Sequence, residues 1–145
     1  MEEILPDENS KRFIAILNKK IETGRLMNAL GHITAGLVGG SNKIDEMCFL
    51  QYYDKEGGVH PNISHFPFII LKADNSNKIR TIRKECINKN IPFSDFTSTM
   101  TFGTSEQQQD ATKKTSEEEL DYYGIVLFGS TDELKKFTGK FSLYQ

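Results

Sequence analysis

Asn28 and His32 form the first pair of residues whose types and spacing could support chemistry. They are four positions apart, so on a helix their side chains would face the same way, about one turn from each other. Asn28 could then orient the imidazole, which can exchange a proton near neutral pH. A structural role is the alternative, with His32 at the border of a buried helix face. The spacing alone leaves both interpretations open.

Asp95 belongs to a second candidate group, because four hydroxyl residues surround it: Ser94, Thr97, Ser98 and Thr99. The group follows a predicted strand, and open α/β sheets usually place their sites at the carboxyl ends of strands. A carboxylate there could orient or deprotonate a water molecule. The same residue types also form ordinary Asx turns, so a purely structural role is again the alternative.

Metal and cofactor chemistry finds little support. His32, His60 and His65 could bind zinc in principle, but nothing in their spacing supports the geometry. The chain contains no GxGxxG, P-loop or GxSxG pattern, and Cys48 and Cys86 are spaced neither as CxxC nor as a zinc pair. We therefore expect no metal and no cofactor, and we expect both cysteines to be small buried hydrophobes.

Composition limits the partners of the chain. Its 145 residues are 37% hydrophobic and 26% charged, which fits one ordinary domain. A formal charge of −2 provides no overall positive field for a phosphate backbone, so tRNA is not an expected partner. There is no apolar run long enough to cross a membrane, and the acidic N-terminus does not resemble a signal sequence. We expect a cytoplasmic protein that does not bind membranes.

The elements that must position these residues alternate between strands and helices. Apolar runs predict strands at 12–17, 47–53, 66–71, 91–93, 122–128 and 141–144. Helical spacing and caps predict helices from 23 to the stop at 39–40, from 75–76 to 88–90, and from 130–131 to 136. This order predicts an α/β domain with a mixed, mostly parallel central sheet of four to five strands and helices packed on both faces. We expect a flexible leader at 1–10, a single domain at 11–145, and a mobile polar loop at 101–121 within it.

The first third of the chain resembles the peptidyl-tRNA hydrolase II family. A strand followed by lysine leads to Gly24-Arg25 and then to a helix with a small-residue face and His32. The later elements keep the same order over most of residues 11–145. A sister family of uncharacterised proteins, the domain of unknown function two thousand, is closer still, and the chain is identified as a member. Its hallmarks stand here as Asn28-Ala-Leu-Gly-His32, Gly36-Leu37, Phe66-Pro67-Phe68 and Asp95-Phe-Thr-Ser-Thr-Met100.

The hydrolase family cuts the ester between a peptide and tRNA, and its functional residues can be matched to this chain one by one. The resemblance implies four catalytic residues: Lys20, His32, Asp95 and Thr99. It implies substrate binding by Arg25, Asn28 and Thr97. Arg25 stands where the hydrolases have a lysine, and their helix glutamine falls at Ala29. An acidic insertion at 101–121 replaces a short basic turn and would repel tRNA.

Three functions follow from these residues. The sequence favours a module that binds a small or peptide-like ligand in a polar pocket around His32 and Asp95. One alternative is a hydrolase of an ester or amide, of the peptidyl-tRNA hydrolase type. The other is an interaction protein that acts as a homodimer, because Phe49, Tyr52 and Tyr53 would be exposed on an edge strand.

Overall fold

A five-stranded sheet with helices on both faces forms the centre of the protein, in a computed structural model that describes residues 4–145. The strand order is β5-β6-β1-β4-β7, and β2 and β3 form a separate hairpin. The strands are β1 (Lys11–Asn18), β2 (Phe49–Tyr53), β3 (Val59–Ser64), β4 (Phe68–Ala73), β5 (Phe93–Thr97), β6 (Tyr122–Ser130) and β7 (Ser142–Leu143). The helices are α1 (Thr23–Gly40), α2 (Ser76–Lys89), α3 (Ser105–Lys113) and α4 (Thr131–Thr138).

The expected α/β class is confirmed, but the expectation of a mostly parallel sheet is wrong. Only β1 and β4 pair in parallel in the sheet, whereas β6 pairs antiparallel with both β1 and β5, and β7 pairs antiparallel with β4. β1, β4 and β5 do run in the same direction, as helical crossovers require. β6 is inserted between β5 and β1 in the opposite direction, and this insertion makes most of the pairs antiparallel.

The two faces of the sheet carry separate apolar cores. Phe13, Ala15 and Leu17 of β1 pack toward α1, while Ile14 and Ile16 pack toward α2 and α4. Because side chains alternate along a strand, an apolar run such as that in β1 is buried on both sides. Helix α1 therefore covers one face, and α2 with α4 covers the other.

Two segments differ from the sequence expectations. β3 forms at 59–64, where no strand is predicted, because pairing with β2 tolerates Pro61 on a strand that has no second neighbour. α3 forms within the expected loop at 101–121, where a capping box joins Thr104 and Gln107. The mobility of that segment stays a prediction. Of the expected leader, residues 1–3 lie outside the described part, and residues 4–10 are exposed, with a turn at 8–10.

None of the helices in residues 4–145 combines the length and the apolar character that a membrane crossing needs. Within the same residues, no group of three His, Cys, Asp or Glu side chains is arranged to hold a metal ion.

Candidate ligand-binding cleft

The first wall of a cleft is the exposed face of α1. Leu26, Ala29 and Ile33 are buried against the sheet, and the residues just before each of them form a neighbouring stripe about 100° round the helix. That stripe carries Arg25, Asn28 and His32, and all three line the cleft together with Glu22 and Gly24 at the helix N-terminus. The helix face predicted from the Asn28–His32 spacing therefore faces an open space.

The floor of the cleft consists of two aromatic rings from the edge of the sheet. Phe96 of β5 lies with its ring centroid 6.0 Å from that of the His32 imidazole. The Tyr123 ring of β6 lies 5.9 Å from Phe96, measured between centroids. Both aromatic residues belong to the core beneath α1, so their positions are fixed by packing.

A β-bulge places Tyr123 in the cleft. Phe96 pairs with Gly124, but the next residue, Thr97, pairs with Tyr122, so Tyr123 is an extra residue in β6. A bulge of this kind interrupts the alternation of side chains. As a result Tyr122 joins the core on the α2 face, while Tyr123 joins the core on the α1 face.

The Tyr123 hydroxyl is the most informative polar group in the cleft. Tyr123 is only 7% exposed, yet its hydroxyl makes no hydrogen bond to any side chain or backbone group in residues 4–145. The Tyr122 hydroxyl, by contrast, donates to the Glu117 carboxylate at 2.9 Å. The Tyr123 ring is therefore held by the core, while its hydroxyl reaches the open space of the cleft, where it can bond water or a ligand.

The second wall comes from the residues after β5 and from α3, in the region expected to be a loop. Met100 and Thr101 follow β5, and Gln108 projects from α3. With α1 and the aromatic floor they enclose a volume of about 570 Å³, which is within the usual range of ligand pockets. The cleft thus combines a cation, two amides, an imidazole and a phenol above an apolar floor.

Hydrogen bonds between threonine hydroxyl groups join this second wall to the sheet. Thr97 is fully buried, and its hydroxyl lies 2.7 Å from that of Thr99, which lies 2.7 Å from that of Thr112 on α3. The Thr112 hydroxyl in turn donates to the Gln108 carbonyl oxygen at 2.8 Å. Thr97 and Thr99 therefore hold α3 against the end of β5, and neither lines the cleft.

Asp95, the predicted catalytic aspartate, lies on the opposite face of the sheet from His32. It alternates with Ser94 and Phe96, which face α1, and its carboxylate accepts a hydrogen bond from Arg83 Nε of α2 at 3.1 Å. Burial raises the pKa of the Asp95 carboxyl, and the charge and hydrogen bond of Arg83 offset only part of that effect. The predicted pocket around His32 and Asp95 is therefore divided by β5.

Lys20, the remaining predicted catalytic residue, is exposed in the turn after β1. The buried Asn18 side chain holds this turn, because it donates to the Tyr122 carbonyl and accepts from the Lys20 backbone N–H. Lys20 adds to the positive charge around Asp74 and does not line the cleft. Of the seven predicted site residues, the structure brings together Arg25, Asn28 and His32 and separates them from Lys20, Asp95, Thr97 and Thr99.

A network of paired charges occupies the α2 side of the same sheet edge. Arg80 Nε donates to the Glu117 carboxylate at 2.8 Å, and another Arg80 nitrogen donates to the Leu120 carbonyl. Burial alone would raise the pKa of Glu117, but the hydrogen bonds from Arg80 and Tyr122 outweigh it and lower that pKa. Burial, together with the bond to Glu117, raises the pKa of Tyr122. This network attaches the 117–120 turn to α2.

The other chemically interesting residues lie elsewhere. His60 pairs with Asp54 at 3.0 Å in the hairpin, and the His65 ring lies 2.7 Å from the Pro6 carbonyl oxygen. Cys86 is fully buried, which raises the pKa of its thiol to about 12, while Cys48 is half-buried.

Sequence reasoning missed Tyr123, Phe96, Met100 and Gln108 as cleft residues. The predicted strands include Tyr123 but not Phe96, which with Met100 stands only in the family hallmark that begins at Asp95, and Gln108 falls in the predicted loop. The Thr104-x-x-Gln107 spacing was a legible signal for α3, since a hydroxyl residue followed three positions later by glutamine is typical of a helix start. We find no comparable sequence signal for the bulge at Tyr123.

An α/β domain with an open, unpaired polar cleft at one sheet edge is the class that these features define. The chain belongs to the DUF2000 family, described as a protein of unknown function, whose family model matches residues 11–145. This confirms the family identified from the sequence. A solved protein of unknown function from Agrobacterium tumefaciens strain C58 has a similar fold, with a TM-score of 0.79 and 18% identity over 94% of this chain and 98% of that one. No curated protein matches the chain.

Proposed function

We propose that the chain is a ligand-binding module and that the cleft between α1, the aromatic floor and α3 holds a small molecule with an anionic group. The Tyr123 hydroxyl carries this proposal, because core packing fixes the position of its ring while the hydroxyl opens into the cleft and has no partner in residues 4–145. Asn28, His32 and Gln108 supply further hydrogen-bonding groups around the same space.

The start of α1 favours an anion in this cleft. No side chain caps its N-terminus, so the first-turn N–H groups keep their positive potential unshared by a side-chain acceptor. Arg25, in the same turn, adds a full positive charge. Glu22, at the N-cap position of α1, is the one acid among the lining residues, and Arg25 together with the helix terminus outweighs its charge. The apolar floor at Phe96 suits a carbon skeleton attached to the anionic group.

Hydrolysis has weaker support. A mechanism built on Lys20, His32, Asp95 and Thr99 needs these side chains around one substrate, and Asp95 bonds Arg83 on the other face of the sheet. For tRNA, the acids Glu106 and Asp110 on α3, the helix that supplies Gln108 to the cleft, oppose a phosphate backbone. Our proposal therefore takes from the peptidyl-tRNA hydrolase II family only a similar fold and not its activity.

The test is a thermal-shift screen of small carboxylates and phosphates, followed by calorimetric titration of the hits. A ligand that binds only the folded state raises the melting temperature as its concentration rises. We expect Tyr123→Phe to weaken binding about three- to tenfold, the value of one neutral hydrogen bond, without lowering the stability of the free protein. Tyr122→Phe is the matched control and should bind as the wild type does. A hit whose affinity is the same in both variants would contradict the proposal.

Dimerisation is a second candidate, and the β2–β3 hairpin favours it. Tyr52 and Tyr53 are 49% and 67% exposed, and Val59 and Ile63 are both 55% exposed, on a two-stranded sheet with no other neighbour. Exposed apolar surface of this kind is a common feature of contact sites. Light scattering across a wide concentration range should show a dimer that the double variant Val59→Lys with Ile63→Lys dissociates. A wild-type protein that stays monomeric at high concentration would exclude this function.

A further inference from the structure

A second groove adjoins the cleft and shares two of its residues. Met100 and Gln108 line both spaces, and the groove continues along α3 past Gln109, Thr112 and Lys113. It has a volume of about 590 Å³. Its wall is mainly apolar, formed by the Met100 thioether and the carbon chains of the α3 residues, whereas the cleft is rich in polar groups.

We propose that the two spaces bind one amphiphilic ligand, a linear carboxylate whose charged head lies in the cleft and whose apolar tail lies in the groove. This inference rests on the proposed ligand-binding function and specifies the class of ligand. The head is placed by charge, because Arg25 and the uncapped α1 N-terminus together outweigh Glu22 at the cleft end. Lys113 of the groove is exposed, so its ammonium group can stay in solvent while its carbon chain joins the wall. The tail is placed by continuity, since the route out of the cleft past Met100 leads onto an apolar wall.

The side chain at the junction suits a flexible tail. Met100 is half-buried and packs against the core beneath α1, so it is anchored while its thioether end borders both spaces. Methionine adapts its shape to irregular apolar partners, which favours a chain of methylene groups over one rigid ring system. Because the Thr112 hydroxyl bonds the Thr99 hydroxyl and donates to the Gln108 carbonyl, it is satisfied, and the Thr112 methyl group is free to contact an apolar ligand.

The test is a calorimetric titration of the wild-type protein with linear carboxylates from butanoate to decanoate, all below their micelle concentrations. Burial of a methylene group strengthens binding up to about fourfold, so the affinity should rise about two- to fourfold for each added carbon, with one molecule bound. Butanoate reports on the head alone. Butanoate binding that Tyr123→Phe weakens, with no gain from longer chains, would overturn the amphiphile inference and leave the proposed function standing. No binding by any member would overturn the inference, and the phosphate arm of the screen would then decide the proposed function.

Two substitutions at one exposed position test the location of the tail. Gln109 is exposed on α3 and lines only the groove. Gln109→Glu brings a hydrated carboxylate to the groove wall and should lower the ratio of decanoate to butanoate affinity at least tenfold. Gln109→Leu extends the apolar wall and should raise the same ratio. If both variants keep the wild-type ratio, the tail does not lie in this groove.

The charged head has its own measurement. Octanol has the chain of octanoate without the charge, so we expect it to bind at least tenfold more weakly. Arg25→Gln should reduce that preference, because the guanidinium is the full positive charge nearest the head. Equal affinities for octanol and octanoate in the wild type would overturn the anionic head.

Discussion

The two faces of the β5–β6 edge treat their polar side chains in opposite ways. On the α2 face, Arg80 and Tyr122 both donate to the Glu117 carboxylate, and Arg83 donates to Asp95. On the α1 face, the polar groups of the cleft remain open to an external partner, with Tyr123 as the most buried of them. Polar groups that hydrogen-bond one another stabilise one arrangement of the chain. Polar groups without protein partners around one cleft can instead bond a ligand.

Neighbouring tyrosines show how small the structural difference between the two faces is. Tyr122 and Tyr123 are adjacent in β6 and so face opposite sides of the sheet, and the bulge decides that Tyr123 is the one that faces α1. One hydroxyl is bonded to Glu117, and the other opens into the cleft. The comparison of the faces can therefore be tested with pairs of matched substitutions, one on each face.

Arg80→Leu should produce the largest effect. The Arg80 side chain is only 10% exposed, and its loss leaves Glu117 and the Leu120 carbonyl without their partner. Breaking a buried ion pair on one side typically costs about 3–5 kcal/mol, and the partial exposure of Glu117 places our expectation at about 2–4 kcal/mol. Urea unfolding of the variant measures this loss.

Arg25→Leu is the counterpart on the cleft side. Arg25 is exposed and makes no ion pair within residues 4–145, so its replacement should change the free energy of unfolding by less than about 0.5 kcal/mol. Similar losses in the two leucine variants would contradict the contrast between a structural face and a binding face.

Thr99→Val should have the next largest effect, because it removes the central hydroxyl between Thr97 and Thr112. A buried hydroxyl that loses its partner lowers the free energy of unfolding by about 1–2 kcal/mol. Here the contact between β5 and α3 is the one that weakens. Relative to the wild type, hydrogen exchange should become faster for the α3 amides than for the α2 amides. If α3 amides exchange as in the wild type, the hydroxyl bonds do not hold that wall of the cleft.

The segment that carries α3 shows where sequence reasoning failed. Residues 105–113 lack apolar periodicity, which is the main signal of an amphipathic helix, so they were expected to be a loop. The helix depends instead on the capping box at Thr104 and on Thr112, whose contacts join residues far apart in the sequence. Periodicity cannot report a helix that is held by its cap and by hydroxyl bonds.

The candidate site was predictable in part for a related reason. Helical spacing correctly grouped Arg25, Asn28 and His32, since that rule acts within one element. The face on which Asp95 lies depends on the insertion of β6 beside β5 and on which helix covers which side. Such pairings between distant segments decided the direction of the sheet and the position of Tyr123, and no local pattern encodes them.

The tyrosine pair gives a smaller but sharper test of the two faces. Tyr122→Phe should cost about 1 kcal/mol, because it removes the hydrogen bond to Glu117. Tyr123→Phe should cost nothing or slightly stabilise the free protein, because its hydroxyl has no partner in the described chain to lose. Parallel urea titrations measure both values. A loss in Tyr123→Phe as large as that in Tyr122→Phe would mean that both faces are structural.

The smallest expected effect is a change in pH dependence at Asp95. Because burial raises the pKa of this carboxyl above its ordinary 3.8, the folded protein binds more protons than the unfolded chain between these two values. The contribution of Asp95 to stability is therefore fully present below pH 3.8 and is lost as the pH rises through the raised pKa. Glu117, with a lowered pKa, acts in the opposite sense, so its contribution to stability is lost as the pH falls.

Urea unfolding at a series of pH values measures this effect. The free energy of unfolding of the wild type minus that of Asp95→Asn isolates Asp95, and this difference should decline with rising pH in this window. A difference for Asp95 that rises with pH would show that Arg83 outweighs burial, and the α2 face would then be stabilised by its charges more strongly than the present comparison allows.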